Sequence, residues 1–327
     1  MIPRGINAMS VLNRPYFHNE EAAFGFVEGI IWPQGPVCPH CGGVERISAI
    51  KANPEKRVRY GLKKCGQCKG QFTVRMGTIF EESKLPLTKW LQAIFLMCAS
   101  KKGVSAHQLH RTLEITYKSA WFLAHRIREA MRSGDLAPFG AGGLTVEVDE
   151  TYIGVDTDVR KAPGKKNMGG GHKMKVVTLL ERGSGRAKSF VVDEVTSAEV
   201  GYIIAHNMSR EAHLRTDESR IYLHAGRKMA SHETVNHRRD EYVRATDPTV
   251  HTNTIEGYFS IFKRGMKGVY QHCGKKHLHR YMAEFDFRYS NRVAVGVDDS
   301  KRAVIALQVV VGKRLTYRGG TDERPQS

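Results

Sequence analysis

Three carboxylates stand where strand or helix ends should hold them. Asp149 lies in LTVEVDETYIG, Asp217 closes a strand-like run in EAHLRTDESRIY, and Glu256 opens the stretch HTNTIEGYFSIFKRGMKG. Carboxylate oxygens are the ligands hard divalent ions prefer. Two Mg²⁺ or Mn²⁺ ions about 3.5–4 Å apart can activate a water or 3′-hydroxyl on one side of a phosphodiester and stabilise the leaving oxygen on the other. The smallest carboxylate set for this is one shared acid and one on each side. Asp149 is expected to bridge, with Asp217 and Glu256 each holding one ion. Each acid alone reads as a solvated surface residue, and it is the ordered trio that carries the reading.

These acids need a scaffold, and the flanking pattern supplies one. Leu144, Val146 and Val148 alternate, so Thr145, Glu147 and Asp149 share the other face of a strand. MKVVTLLE at 174–181 and AKSFVVDEV at 187–195 flank a glycine-containing turn at 183–185. A helix is expected from Ser197 to Met208, then the short strand ending at Asp217, then further helices. This order matches an RNase-H-like core, with the first acid on the central strand and the second at the end of the adjacent fourth strand. On the last of these helices Ile255, Phe259, Phe262 and Met266 form an apolar stripe, and Glu256, Ser260, Lys263 and Lys267 line up beside it. Glu147 and Glu150 are weaker ligand candidates, with Glu147 in a supporting place on the same face as Asp149. His232 and His237 lie between the second and third acids. Each can orient a phosphate or a ligand, although a satisfied structural histidine is the commoner case.

A second metal chemistry is written in cysteine. Of six cysteines, four form the pairs Cys38/Cys41 and Cys65/Cys68, in CPHC and CGQC. Two such knuckles complete a closed tetrahedral four-sulfur site for structural Zn²⁺, with Zn–S bonds of about 2.3 Å. His40 lies inside the first knuckle and is a competing ligand. The basic stretch KANPEKRVRYGLKK between the knuckles is expected to form a β-hairpin that lies against DNA phosphates. Cys98 and Cys273 stand alone.

The chain of 327 residues carries 51 basic and 33 acidic residues, a net charge of +18. Such an excess points to a polyanionic partner, with double-stranded DNA first. Leu87, Trp90, Leu91, Ile94, Phe95 and Cys98 mark an amphipathic helix with one buried stripe. Ser105 can cap a second helix and Thr116 a third. This is a helix-turn-helix layout. Its last helix is expected to expose Lys118, Ser119, His125, Arg126 and Arg128 toward a major groove, with Lys118, Arg126 and Arg128 touching DNA. Lys263, Arg264 and Lys267 are expected to meet the DNA backbone beside the acids. Lys275 and Lys276, inside the group His272, Cys273, His277 and His279, favour backbone contact over metal binding. PGKKNMGGGHK at 163–173 reads as a basic loop. No apolar run reaches the ~18 residues of a membrane span. The N-terminus lacks a basic-then-apolar signal pattern. A cytoplasmic, nucleoid-associated protein is expected.

The fold class is therefore multidomain α+β. A helical lead-in (1–34) precedes a zinc ribbon (35–82) and a helical DNA-binding segment (85–133). An α/β RNase-H-like domain with a mixed five-stranded sheet (140–295) and a C-terminal helix and tail (296–327) follow. Across roughly residues 15–295 the chain resembles bacterial insertion-sequence transposases of the DDE type that carry an N-terminal zinc ribbon. The matching stretches are CPHCGG, CGQCKGQFTVRMGTIFE, VDETYIG, HTNTIEGYFSIFKRG and FDFRYSNR. The resemblance implies metal-dependent cleavage at an element's inverted-repeat ends, strand transfer into target DNA, and a homo-oligomeric synaptic complex. It also allows an asparagine as the third metal-site residue, and Asn253 lies one helical turn before Glu256. The spacing of Glu256 to Lys263 matches the usual family pattern and favours the glutamate, as does the weaker Mg²⁺ affinity of an amide. The alternatives are a catalytically silent domesticated transposase acting as a DNA-binding protein, and an RNase-H-like nuclease or resolvase.

Overall fold

The computed structural model describes residues 10–53, 55–134, 137–157, 159 and 171–316. The basic loop at 163–173 lies outside the described residues except for 171–173. The chain forms two compact units. One takes the residues before 101, 104–130 and those from 299 onward; the other takes 101–103 and 131–298.

In the first unit, Asn19 opens helix α1 (Glu20–Ile31) by accepting the N–H of Ala22 at 2.9 Å. Strands β1 (Ile47–Ala49), β2 (Lys63–Cys65) and β3 (Gln71–Phe72) form a small antiparallel sheet. Ile47 faces Cys65 and Lys64 faces Gln71, so β1 and β2 make the hairpin expected between the cysteine pairs.

Helix α2 (Leu87–Ala99) buries Leu87, Trp90, Leu91, Ile94 and Cys98, as its period requires. Proline at its N-cap offers no side-chain acceptor. The Glu20 carboxylate does so instead, accepting the N–H groups of Leu87 at 2.7 Å and Thr88 at 3.1 Å. Helix α3 (Ala106–Leu113) is capped by Ser105, which accepts from the Gln108 N–H at 3.1 Å, and stops at Glu114 with φ +52°. Helix α4 (Tyr117–Met131) starts on Thr116, whose hydroxyl accepts from the Ser119 N–H at 3.2 Å.

Helix α4 departs from expectation in one respect. His125, Arg126 and Arg128 are buried, at 0%, 4% and 2% exposure, and do not form an outward face. The Arg126 guanidinium donates to the Glu81 carbonyl at 2.6 Å and lies over the rings of Trp90 and Phe122. A helix covered on more than its apolar stripe takes long cationic stems inside, provided the head group finds a partner. Lys118, in the first turn, is exposed.

The second unit is a five-stranded mixed sheet with helices on both faces. Its strands and helices run β4 (Thr145–Ile153), β5 (Met174–Glu181), β6 (Ala187–Val192), α5 (Ser197–Asn207), β7 (His213–Asp217), α6 (Leu223–Gly226) and β8 (Ser231–Val235). Then come β9 (Val243–Arg244), β10 (Asp247–His251), α7 (Asn253–Gly265) and α8 (Lys275–Ser290). Helix α9 (Asp299–Gln308) belongs again to the first unit, where Arg302 donates to the Cys98 carbonyl at 2.7 Å.

The spatial order is β6-β5-β4-β7-β8, with the first three antiparallel and the last two parallel to β4. The strand bearing the first acid is thus central, as an RNase-H-like core requires. Alternation along the strands sorts two cores. Val146, Val148, Val177 and Leu179 pack with Val200 and Ile204 of α5. On the other face Val176 and Leu180 pack with Ile255, Phe259 and Phe262 of α7 and with Phe285 of α8. Burying each of these aliphatic or aromatic side chains contributes on the order of 1.5–3 kcal/mol.

A buried polar knot ties α7 and α8 to strand β6. Asp286 accepts from the Ser189 N–H at 2.8 Å, the Ser189 hydroxyl at 2.7 Å and the Tyr258 hydroxyl at 2.5 Å. Burial pushes the Asp286 carboxyl up to about 6 despite those three donors. After Gly265 the chain widens into a π-turn, Met266–Tyr270. Lys267 therefore leaves the straight line with Glu256, Ser260 and Lys263. Among the described residues no helix is long and apolar enough to cross a membrane.

Candidate active site

The four cysteines form a tight cluster. Their sulfurs all lie within 4.8 Å of one another, the only such group of potential ligands among the described residues. Cys38 Sγ is 3.6 Å from Cys68 Sγ, and Cys41 Sγ is 3.7 Å from Cys65 Sγ. Backbone N–H groups of Cys68 and Gln67 outweigh burial and draw the Cys65 thiol down to about 6. The Gly43 N–H acts in the same direction on Cys41, but burial and the three other sulfurs carry that thiol up to about 11. Four sulfurs this close cannot all ionise without a cation between them, and a closed thiolate set suits zinc. His40 turns away from the cluster, with Nε2 at 3.3 Å from the Gln71 carbonyl.

The acid site is gathered by the sheet. Strands β4 and β7 run parallel with Glu147 beside Arg215, so two residues on, Asp149 and Asp217 are neighbours on one face. Asp149 takes the N–H of Glu150 at 2.8 Å, and Asp217 takes that of Ser219 at 3.0 Å. Burial pushes the Asp149 carboxyl well above the usual range; the charge of Glu150, and then of Asp217 and Glu256, adds to the rise. Asp217 is also raised by burial, partly offset by its hydrogen bond from Ser219 and by His237 and Arg238. Asp149 thus senses both other members of the trio. Their oxygens spread wider than the sulfurs do and do not all lie within 4.8 Å of one another.

Glu256 comes from the first turn of α7. Its Oε1 accepts the Thr252 hydroxyl at 3.0 Å and lies 3.4 Å from His237 Nε2. His237 also stands 3.2 Å from that hydroxyl. Asn253, at the first position of α7, is exposed, and its backbone N–H reaches His251 Nδ1 at 3.3 Å.

Other acids and histidines sort clearly. Glu150 points to the opposite side of the strand, where the fully buried Tyr222 donates its hydroxyl to it. Glu147 is fully buried and bonded through both oxygens, to Arg182 and to the N–H of Ile255. His232 pairs with the Thr216 hydroxyl at 2.9 Å, a structural histidine kept neutral by burial.

Lys263 is partly exposed, while Arg264 and Lys267 are exposed. Lys267 lines a cleft of about 540 Å³ with Ile153, Met266, His272 and Cys273. Lys275 differs from expectation. It is held by Asp156 at 2.9 Å and Asp193 at 2.6 Å, so its charge is spent inside the protein. Arg182 and His251 carried no spacing signal in the sequence, yet both frame the start of α7.

Comparison with known proteins agrees with this architecture. Residues 18–71 match a transposase zinc-ribbon domain, and residues 140–290 match the ISXO2-like transposase domain. A protein of transposable element ISH50 from Halobacterium salinarum, itself uncharacterised, is 27% identical over 289 residues, covering 83% of this chain and 91% of that one. Among solved structures, a simian T-cell lymphotropic virus intasome in complex with the PP2A regulatory subunit B56 gamma is 17% identical. It covers 54% of this chain and 67% of that chain with a TM-score of 0.28, a likeness too slight to argue from.

Proposed function

We propose that the chain, which matches a transposase zinc-ribbon domain and an ISXO2-like transposase domain, is a transposase that cuts DNA at the inverted-repeat ends of its element and transfers the freed strands into target DNA. The observation that carries this reading is the placement of Asp149 on the central strand beside Asp217, with Glu256 close enough to add to the rise in its pKa. Three crowded carboxylates form a donor set suited to Mg²⁺ or Mn²⁺. When bound, such ions supply a more acidic attacking hydroxyl and a stabilised leaving oxygen at the phosphodiester.

The chain's own residues then have separate tasks. Asp149, Asp217 and Glu256 would together hold the divalent ions. His237 and Thr252 steady the Glu256 carboxylate through the contacts already described. Asn253 is the alternative to Glu256, but the contacts around the site involve the glutamate side chain. Lys263, Arg264 and Lys267 lie along or just past α7 and meet the DNA backbone, where lysine and arginine neutralise phosphates. Lys118 does the same on α4. The four cysteines hold a structural Zn²⁺, which fixes the β1–β2 hairpin for DNA contact. Pairing of two element ends calls for a homo-oligomer.

The test uses the full chain, Mg²⁺ or Mn²⁺, and duplex DNA carrying the inverted repeats that flank its gene. Metal-dependent nicking at the repeat ends and joined products are expected, and Asp149→Ala should yield neither. Cutting and joining by Asp149→Ala at the wild-type rate would overturn the assignment. Cleavage without joining would mark a nuclease, and binding without cleavage a regulator.

A further inference from the structure

The face of β4 that carries Asp149 also carries Glu147, one pleat earlier. That acid is wholly enclosed. Its Oε1 takes the Arg182 Nε–H at 2.5 Å, and its Oε2 takes the backbone N–H of Ile255 at 2.8 Å. Ile255 immediately precedes Glu256. The first N–H groups of a helix have no partner within it. Thr252, at the N-cap of α7, makes no side-chain cap bond, so Glu147 fills that role from the strand on which the helix packs.

Arg182 extends the arrangement. Its remaining N–H groups reach the carbonyls of Thr249 and His251, both at 2.6 Å, and His251 Nδ1 at 2.9 Å. His251 Nδ1 also receives the Asn253 N–H at 3.3 Å, so that nitrogen is the acceptor and the ring is neutral. Arg182 is itself pinned to β4, with its own N–H on the Thr145 carbonyl at 2.9 Å. One carboxylate and one guanidinium thus fasten the end of β10 and the start of α7 to the strand bearing Asp149.

We propose that Glu147 and Arg182 form a clamp that sets the separation of Asp149 from Glu256, and so tunes the divalent-metal affinity of the site without touching the metal. Both Glu147 oxygens are already committed to protein donors, which removes it from the ligand set. It sits two residues from one ligand and bonds the residue next to the other. A guanidinium fork suits this task because its donors lie in a fixed plane and can hold two segments in one geometry. Glu147 and Arg182 are positioning residues, and their role rests on the reading that Asp149 and Glu256 hold divalent ions.

The test uses the full, zinc-loaded protein with Mn²⁺ as the probe, bound ion being counted by electron paramagnetic resonance. Glu147→Gln, Arg182→Lys and Asp149→Ala are compared with wild type, and hydrogen exchange follows the amides of residues 253–256. Arg182→Lys keeps the buried charge balanced, so it remains informative if Glu147→Gln does not fold. Outer residues that orient metal ligands typically change affinity by about ten- to a hundredfold. A loss of that size is expected in the clamp variants, with faster exchange at 253–256 and cleavage activity that recovers at saturating Mn²⁺. Asp149→Ala should lose the metal while the same amides stay protected. If Asp149→Ala loses Mn²⁺ but both clamp variants bind it as tightly as wild type, the clamp is overturned. If Asp149→Ala itself keeps wild-type Mn²⁺ affinity, the carboxylate reading falls instead.

Discussion

The two candidate metal sites are built in opposite ways. The four cysteines come from two short knuckles and close to within 4.8 Å of one another. The three acids come from a central strand, a neighbouring strand and a helix, and the fold must bring them together. A metal at the first site would help make the structure of a segment built on three short strands and a small core around Phe72. In the second, as we propose it, the folded structure would make the metal site. The buried Glu147–Arg182 pair belongs with this second design, because candidate ligands set far apart in sequence would need something rigid between them.

This contrast can be broken most forcefully by removing metal. Stripping zinc with a strong chelator, or Cys38→Ser, should unfold the ribbon, given that structural zinc contributes ~10–16 kcal/mol in small finger peptides. Circular dichroism and proteolysis would report that loss. Withdrawing Mg²⁺ should leave the five-stranded sheet folded. Equal collapse of both regions would erase the distinction drawn between them.

Next in size is the effect of single ligands. Glu256→Gln should lower strand cleavage by about a thousandfold, a few kcal/mol of lost transition-state stabilisation. Asn253→Ala should cost about tenfold or less by the same conversion. Gel assays on end DNA would rank them. The reverse order would hand the third place to Asn253.

A smaller effect probes the scaffold under α7. Asp286 has a folded value of about 6 against an ordinary 3.8. The folded state therefore holds the proton more tightly, and its stabilising contribution is complete below the ordinary value and lost as pH rises through the folded one. From about pH 4 to about pH 8 the wild type should lose on the order of 2 kcal/mol relative to Asp286→Asn. Denaturant melts of the two proteins across that range would measure it, and parallel curves would contradict it.

The smallest effect separates two cations on α4. Lys118→Ala should reduce the salt dependence of DNA binding by about one phosphate contact. Arg126→Ala should instead lower the melting temperature, because its guanidinium is buried on the Glu81 carbonyl.

Much of this design was legible in the sequence. The CxxC pairs announced their cluster because a knuckle is a local structure. Alternation at Val146 and Val148 marked the face of Asp149, and the stripe from Ile255 to Met266 marked α7. The sheet order followed from three antiparallel strands, a helix and a further strand. What was hidden depended on contacts between distant segments. Arg126 and Arg128 looked like surface cations because periodicity records one apolar stripe and not what covers the other sides. Lys275 looked free because Asp156 and Asp193 are far away in sequence. Arg182, in a turn after β5, gave no sign that it reaches Thr249 and His251. Glu147 showed its face but not its partners.

Anomalous diffraction from Mn²⁺-soaked crystals of the protein bound to its element's end DNA would locate the divalent ions directly. Anomalous density for manganese is expected among Asp149, Asp217 and Glu256, with Glu147 outside the coordination sphere. Manganese bound elsewhere, with these three carboxylates left without a metal, would contradict it.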